Sequence, residues 1–198
     1  MNQSEILQLF EKTGALLKGH FQLASGLHSD QYFQCALILQ YPAYAEVLAR
    51  DIAQPFRGKG ITCVVGPALG GVTIAYEVAR ALGVRGLFAE RVNGEMQLRR
   101  GFQVSSEDRI LVVEDVITTG GSAAEVVALL KAKSATVAAV ASIIDRSSGP
   151  PSFGVPYQSL VKMEVRTFQP HDCPWCKEGR SLDKPGSKIL QRGMNQSA

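Results

Sequence analysis

The sequence predicts an α/β protein in which an open, mostly parallel sheet is flanked by helices. Two observations support this fold class: after Gly60, short uninterrupted β-branched runs appear, and they alternate with stretches of helical character. Unbroken apolar runs are typical of parallel strands that are buried on both faces. The predicted strands and intervening helices are Ile61–Val65, Gly71–Leu82, Val84–Glu90, Ile110–Val113, Gly121–Lys133, Thr136–Ile144 and Tyr157–Met163.

The N-terminal quarter of the chain has a different character. Apolar residues between Ile6 and Leu17 approximate a helical stripe, so we expect a first helix that extends to Gly19. A second helix is predicted to begin at Pro42, because proline is favoured in the first turn of a helix. The polar segment from His20 to Gln40 between them is predicted to be irregular.

Length and composition predict one domain with a tail. The chain has 198 residues and a net charge of +3, and neither a repeat nor a low-complexity linker interrupts its first 165 residues. We therefore expect a single domain over residues 1–165, followed by a tail over residues 166–198. The small charge surplus argues against nucleic acid as a partner. The longest apolar run, Val137–Ile144, is too short to span a membrane.

Cysteine usage indicates a reducing compartment. Cys35, Cys63, Cys173 and Cys176 are too few and too unevenly spaced for a secreted disulfide scaffold. The first ten residues, MNQSEILQLF, do not resemble a secretory leader. These features predict a cytoplasmic protein.

The strongest functional signal is the segment ILVVEDVITTGGS, from Ile110 to Ser122. A buried strand ends at two adjacent carboxylates and continues into a glycine- and hydroxyl-rich loop at a helix start. Converging backbone N–H groups and the helix dipole favour an anion there. Neither a Walker lysine nor a GxGxxG pattern is present, which argues against an NTPase and a dinucleotide-binding fold. The residues are Glu114, Asp115, Val116, Ile117, Thr118, Thr119, Gly120, Gly121 and Ser122.

The acidic pair needs a role that is compatible with a nearby phosphate. Carboxylates beside an anion repel it unless they accept hydrogen bonds from sugar hydroxyls or help to bind a divalent cation. A ribose 5-phosphate with free hydroxyls satisfies both parts of the segment. Thr118–Ser122 alone is equally compatible with an ordinary turn that starts a helix.

The complete pattern of strand, acidic pair, two apolar residues and loop resembles the signature of the type I phosphoribosyltransferases. This resemblance implies that the chain binds 5-phosphoribosyl 1-diphosphate (PRPP) with Mg²⁺. It places Glu114 and Asp115 at the ribose hydroxyls and Thr118–Ser122 around the 5-phosphate. The metal is expected mainly on PRPP, with Asp115 as a candidate protein ligand.

A second segment, Leu17–Phe33, resembles the N-terminal hood of the orotate phosphoribosyltransferases, and we expect the hood over residues 17–40. This implies transfer of the ribosyl phosphate to orotate, giving orotidine 5-monophosphate in de novo pyrimidine synthesis. Arg146 is implied to recognise the orotate carboxylate, with Thr118 as a secondary contact. Phe21, Tyr32 and Phe33 are candidates for packing a flat base. A phosphoribosyltransferase for another base and a non-catalytic regulator of this fold remain alternatives.

Residues 90–102, ERVNGEMQLRRGF, are predicted to form a lid over the site. In the family this loop reaches into the neighbouring subunit, so the resemblance implies a homodimer. Arg91 matches the family's arginine at the loop entry and is a candidate catalytic residue. Arg99 and Arg100 either neutralise the diphosphate or belong to a solvated turn.

Several family residues differ in this chain. Ala24 and Gly70 stand where many members carry lysine, and the lid lacks the usual Lys/His cluster. Positive charge is therefore thinner than in the family, which leaves the proton-handling group open.

The tail contains His171, Cys173 and Cys176 within the sequence HDCPWC. The CxxC spacing fits structural thiols, half of a zinc site with His171 as a third ligand, or a redox pair. Because no second CxxC is present, a complete zinc site would need further ligands from elsewhere. His20 and His28 are isolated in sequence, and we expect each to hydrogen-bond the backbone rather than bind a ligand.

Overall fold

A computed structural model describes residues 1–23, 25–163 and 166–185. The helices are α1 (Gln3–Lys12), α2 (Ala36–Leu39), α3 (Pro42–Ala53), α4 (Gly70–Leu82), α5 (Gly121–Ala132) and α6 (Pro174–Lys177). The strands are β1 (Leu16–Gln22), β2 (His28–Phe33), β3 (Cys63–Pro67), β4 (Arg85–Val92), β5 (Glu95–Gln97), β6 (Arg109–Ile117), β7 (Thr136–Asp145), β8 (Tyr157–Lys162) and β9 (Thr167–Phe168).

The central sheet has six strands in the order β5-β4-β3-β6-β7-β8. All neighbouring pairs are parallel except β4 and β5, which are antiparallel. The predicted α/β class with a mostly parallel sheet is therefore confirmed. Strand β6 continues to Ile117, so the acidic pair lies within the strand and not after its end.

Two hydrophobic clusters cover the two faces of this sheet. Val64 and Leu111 pack in one cluster with α1, α3 and α4, whereas Val65 and Val112 pack in the other with α5. Successive residues of β3 and β6 thus point into opposite clusters, which explains their unbroken apolar sequences. Within the described ranges, no helix combines the length and apolar character that crossing a membrane requires.

The prediction that the first helix extends to Gly19 was wrong. The side chain of Asn2 caps α1, and the Thr13 hydroxyl donates to the carbonyl oxygen of Leu9 at 2.8 Å. Gly14 then adopts a φ of +69°, a left-handed conformation that ends the helix. Leu16 and Leu17, which completed the apparent stripe, belong to β1.

The segment from His20 to Gln40 is not irregular, contrary to prediction. It completes a β1–β2 hairpin and contains the short helix α2. The tail adds β9 to the open edge of β2, with His28 opposite Phe168. This three-stranded sheet, β1-β2-β9, is called the hood sheet below.

The predicted lid begins with a β4–β5 hairpin. Asn93 and Gly94 form its two-residue turn and have φ values of +50° and +91°. Positive φ at both central positions is typical of the turns that favour Asn-Gly. The hairpin places β5 at one edge of the central sheet.

Candidate active site

The acidic pair lies at the carboxyl end of β6, in the middle of the sheet. Glu114 is only 8% exposed, and Asp115 is half-buried. One Asp115 oxygen, Oδ1, accepts a hydrogen bond from the Val116 N–H at 2.9 Å. Within the described residues, neither carboxylate forms a salt bridge.

Burial raises the pKa of both carboxyl groups. For Glu114 the pKa lies well above its usual range, first because of burial and then because of the neighbouring Asp115 charge. Burial also raises the pKa of Asp115, and hydrogen bonds oppose this change only in part. A cation or a set of hydroxyl donors at this place would therefore favour the ionised pair.

The turn between β3 and α4 packs directly against the acidic pair. A Cβ atom on Gly70 would lie 2.6 Å from Oδ1 of Asp115, and one on Gly71 would lie 3.1 Å from Oε1 of Glu114. A lysine at position 70 would have to displace the Asp115 carboxylate from its present place. The exposed side chain of Leu69 projects from the same turn.

The loop between β6 and α5 presents backbone donors at the start of a 12-residue helix. Thr118 and Thr119 are exposed, and within the described parts of the chain the N–H groups of residues 118–120 meet no acceptor. Gly120 has a φ of +79°, and a Cβ atom there would lie 3.0 Å from the Phe153 ring. The positive φ and this close approach together favour glycine at the turn.

Arg146 lies beside this loop because β7 neighbours β6. Its N–H donates to the carbonyl oxygen of Ile117 at 2.9 Å, so Arg146 and Thr118 follow adjacent strands at the same sheet edge. The guanidinium carbon is 6.0 Å from the ring centroid of Tyr32 in the hood sheet. Burial lowers the pKa of Arg146 and raises the pKa of Tyr32.

The hood thus contributes one aromatic side chain to this edge. Burial has the largest effect on the pKa of Tyr32, whereas the charge of Arg146 lowers this pKa and that of Asp115 raises it. Phe21 and Phe33 are both buried, at 5% exposure each, and pack inside the protein. Of the three aromatic candidates, Tyr32 is the one with accessible surface at the site. Ala24 lies outside the described residues.

The lid arginines contact other parts of the same chain. Arg91 forms an ion pair with Glu125 of α5, with Nη1 to Oε2 at 2.8 Å. Arg100 pairs with Glu90 at 3.1 Å, and Arg99 lies 3.9 Å from the same carboxylate. Within the described residues, the structure does not bring these arginines into contact with Glu114 or Asp115.

Sequence reasoning missed two residues that shape the site. Phe153 supports the curl at Gly120, and Glu125 holds Arg91. No local signal distinguishes either one, since Phe153 lies in a loop remote in sequence and Glu125 resembles any exposed helix carboxylate.

Comparisons with known proteins identify relatives of this chain. The phosphoribosyl transferase domain family matches residues 37–158. An orotate phosphoribosyltransferase of Pelotomaculum thermopropionicum is 55% identical over 190 residues, covering 96% of this chain and 100% of the relative. Another, from Caldanaerobacter subterraneus, is 52% identical with the same coverage. The crystal structure of the Aeropyrum pernix orotate phosphoribosyltransferase has a TM-score of 0.67 at 26% identity, covering 80% of this chain and 94% of that one.

Proposed function

This chain belongs to the phosphoribosyltransferase family, where it is an orotate phosphoribosyltransferase, and from that membership we propose how its residues perform the transfer. A ring nitrogen of orotate loses its proton and forms a bond to C1 of PRPP, and the bond from C1 to diphosphate breaks. The products are orotidine 5-monophosphate and diphosphate. The observation that supports this assignment is the acidic pair of β6 running directly into a loop with free backbone donors.

The β6–α5 segment holds the ribose phosphate. Glu114 and Asp115 accept hydrogen bonds from the two ribose hydroxyls, which favours their ionised forms despite burial. Residues 116–122 form the wall of the ribose site and the loop around the 5-phosphate. The N–H and hydroxyl donors of this loop are directed at the 5-phosphate. Anchoring the sugar at both ends holds C1 in place for attack.

Arg146 and Thr118 recognise the base. The guanidinium is a planar fork that matches the orotate carboxylate, and it lies at the sheet edge beside the loop that binds the sugar. Tyr32 covers this position from the hood and offers a ring face to the flat base. The base and the sugar donor are therefore held on neighbouring strands.

Mg²⁺ is the cofactor in this proposal, because the donor set suits it. The two carboxylates supply hard oxygen atoms, and their buried like charges are left without a cationic partner among the described residues. When bound with PRPP, Mg²⁺ neutralises part of the diphosphate charge. Asp115 is the candidate protein ligand, and most of the coordination comes from PRPP.

The lid stabilises the departing diphosphate in this proposal. Positive charge grows on the ribose as the C1–diphosphate bond breaks, and negative charge grows on the leaving group. Arg91, with Arg99 and Arg100, supplies cationic groups near the leaving group after the lid closes. The functional unit is a homodimer in which each lid serves the neighbouring subunit.

The catalytic domain of this proposal comprises residues 1–165, with the tail over residues 166–198. The enzyme acts in the cytoplasm, in the de novo synthesis of UMP. Orotate and PRPP are its small-molecule substrates, and neither nucleic acid nor membrane takes part.

The test is product formation by the purified protein with PRPP, orotate and Mg²⁺. We expect orotidine 5-monophosphate and diphosphate in equal amounts, and little product when adenine, hypoxanthine or uracil replaces orotate. Glu114→Gln combined with Asp115→Asn should abolish turnover while the circular dichroism spectrum is retained. Glu107→Gln, which changes an exposed carboxylate remote from the site, is the matched control. A folded wild-type protein that forms no orotidine 5-monophosphate would refute the proposal.

A further inference from the structure

Four potential metal ligands from opposite ends of the chain meet beneath the hood sheet. His20 of β1 and His28 of β2 face two cysteines of the tail. Cys173 immediately precedes α6, and Cys176 lies within it. The four ligand atoms all lie within 4.8 Å of one another. The proposed reaction uses none of these residues.

The distances between the ligand atoms match a tetrahedral site. His20 Nε2 is 3.0 Å from His28 Nδ1, 3.4 Å from Cys173 Sγ and 3.6 Å from Cys176 Sγ. His28 Nδ1 is 3.2 Å from Cys176 Sγ. A zinc ion with Zn–N bonds of about 2.0–2.1 Å and Zn–S bonds of about 2.3 Å separates neighbouring ligands by roughly 3.3–3.8 Å. Small adjustments of side chains therefore suffice to bring all four atoms to one ion.

One ring nitrogen of this cluster, Nε2 of His20, faces three possible partners at once. Each neutral imidazole carries one N–H, and the Nδ1 atom of His20 already faces the carbonyl oxygen of Arg180 at 3.2 Å. With its proton on Nδ1, His20 presents the lone pair of Nε2 to His28 and to both sulfur atoms. Three of the four residues are buried, with exposures of 4% for His20, 3% for His28 and 0% for Cys173. Converging lone pairs in a buried place favour a bound cation.

The surroundings fix the ligands in the manner of established metal centres. The carbonyl oxygen of Arg180 is the second-layer acceptor that selects the coordinating nitrogen of His20. Trp175 packs its ring 5.9 Å from that of His20 and 5.3 Å from that of Phe168 in β9. The Asp183 N–H donates to the carbonyl oxygen of His20 at 2.8 Å, which holds the tail along β1.

We propose that His20, His28, Cys173 and Cys176 bind one zinc ion through Nε2, Nδ1 and the two Sγ atoms. The four protein ligands fill a tetrahedral shell, so the site is structural and holds the tail against the hood sheet. Binding displaces one proton from each thiol, and the Zn²⁺ charge is balanced by two thiolates. An N₂S₂ donor set in tetrahedral geometry selects zinc over Mg²⁺ or Ca²⁺.

These positions differ in part from the sequence-based expectations. The expected backbone contact is present for His20, at the carbonyl oxygen of Arg180, but His20 and His28 also meet each other and the cysteines. His171, a candidate third ligand if the tail binds zinc, is exposed and lies 3.0 Å from the carboxylate of Asp172. The two further ligands that a site at Cys173 and Cys176 needs are therefore His20 and His28 of the hood sheet.

The first experiment measures the metal content of the full-length protein, purified under reducing conditions without added chelator. We expect about one zinc ion per chain in the wild type and close to none in Cys176→Ser and His28→Ala. His171→Ala is the matched control, since it removes an exposed histidine close to Cys173, and it should retain the metal. A folded wild type without zinc, even after incubation with zinc chloride, would overturn the proposal. So would loss of zinc from His171→Ala equal to that from Cys176→Ser.

A second experiment does not depend on the folding of the variants. Cobalt replaces zinc in the wild type, and we expect the absorption bands of tetrahedral Co²⁺ together with thiolate-to-cobalt charge transfer. Chelation should lower the melting temperature, and zinc should restore it. An octahedral cobalt spectrum, or a Cys173–Cys176 disulfide in freshly purified protein, would refute the site. Both experiments are done without substrate, so their outcome is separate from that of the proposed transfer reaction.

Discussion

Glu114 and Asp115 place two carboxyl groups side by side in a buried strand, where two negative charges are costly. Burial raises the pKa of both groups, so the ligand-free site binds protons more tightly than exposed carboxyl groups do. The proposed ribose hydroxyls and Mg²⁺ supply the interactions that reverse this preference. Folding stability therefore favours the protonated pair, whereas substrate binding favours the ionised pair.

The ligand-free enzyme should lose stability as the pH rises. Both carboxyl groups have folded-state pKa values above their unfolded values, so the folded protein binds protons more tightly. The resulting stabilisation is complete below the ordinary carboxyl pKa range and is lost as the pH rises through the raised pKa values. Each tenfold difference in proton affinity contributes about 1.4 kcal/mol. Melting temperatures recorded against pH without substrate measure this slope.

Glu114→Gln should flatten that dependence, because an amide carries no titrating proton. Glu107→Gln is the control, and it should leave the slope of the wild type unchanged. Equal slopes in wild type and Glu114→Gln would contradict the assignment of the effect to this site.

Arg146→Lys should weaken orotate binding while it preserves the charge. Lysine lacks the planar fork, so one charge-assisted hydrogen bond to the carboxylate is lost, at a cost of about 1.5–3 kcal/mol. This corresponds to a rise in the KM for orotate of about 10- to 150-fold. The KM for PRPP should change little, since the phosphate loop is untouched. Steady-state kinetics with each substrate varied in turn test this, and an equal rise in both constants would contradict the role.

At the scale of elements, the β3–α4 turn determines how closely the chain can approach the acidic pair. Helix α4 begins at Gly70, and the Gly70 backbone lies against the Asp115 carboxylate. Because residue 70 has no side chain, the backbone of the turn can pack closely against β6. A side chain at this position therefore requires the Asp115 carboxylate or the turn to move.

Gly70→Ala should lower activity and stability together. Its Cβ would lie 2.6 Å from Asp115 Oδ1, so the carboxylate or the turn must move, at an overpacking cost of about 1–3 kcal/mol. We expect kcat/KM to fall and the melting temperature to drop. Gly149→Ala is the control, because a Cβ there meets nothing within 4 Å. Wild-type kinetics and melting temperature in Gly70→Ala would show that the turn adapts freely.

The elements of the central sheet could be predicted because burial on both faces leaves a direct trace in the sequence. Ile110–Val113 and Thr136–Ile144 are unbroken apolar runs, and β6 and β7 contain them. The hood sheet leaves no such trace, since β1 alternates exposed and buried residues irregularly. The Asn93-Gly94 turn did carry a hairpin signal, but the surrounding polar residues favoured the prediction of an open loop.

The same contrast holds for the two sites. The β6–α5 segment is contiguous, so local sequence predicted the acidic pair and the loop together. The cluster of histidines and cysteines depends on the contact between His20 and Cys173, which are 153 residues apart in the chain. Without the tertiary fold, nothing distinguishes His20 and His28 from isolated polar residues.

For the whole molecule, the position of the lid bears on how two copies would cooperate. The β4–β5 hairpin lies at the sheet edge, and its arginines pair with Glu90 and Glu125 of their own chain. The Arg91–Glu125 pair is exposed on both sides and therefore weak, so it exchanges readily for contacts with a diphosphate. In a dimer with shared sites, a lid arginine would leave its intrachain partner and contact the diphosphate bound to the neighbouring subunit.

Mixing two inactive variants tests the shared lid. One carries Asp115→Asn, and the other carries Arg99→Ala with Arg100→Ala. Dimers that contain one chain of each should recover activity, because one of their two sites combines an intact lid with an intact acidic pair. Turnover measured after the mixture has been dissociated and reassociated checks this. Lack of recovery in mixtures shown to contain mixed dimers would place each lid over its own subunit.

The hood sheet takes its third strand from the far end of the chain, at Thr167–Phe168. During synthesis on a ribosome, β1 and β2 emerge early, and the edge of β2 that faces away from β1 stays unpaired. The partner of that edge, β9, emerges after all the other strands described here. The central sheet is complete before that moment. A nascent chain can therefore assemble the central sheet before β9 joins β2 and completes the hood sheet above the site.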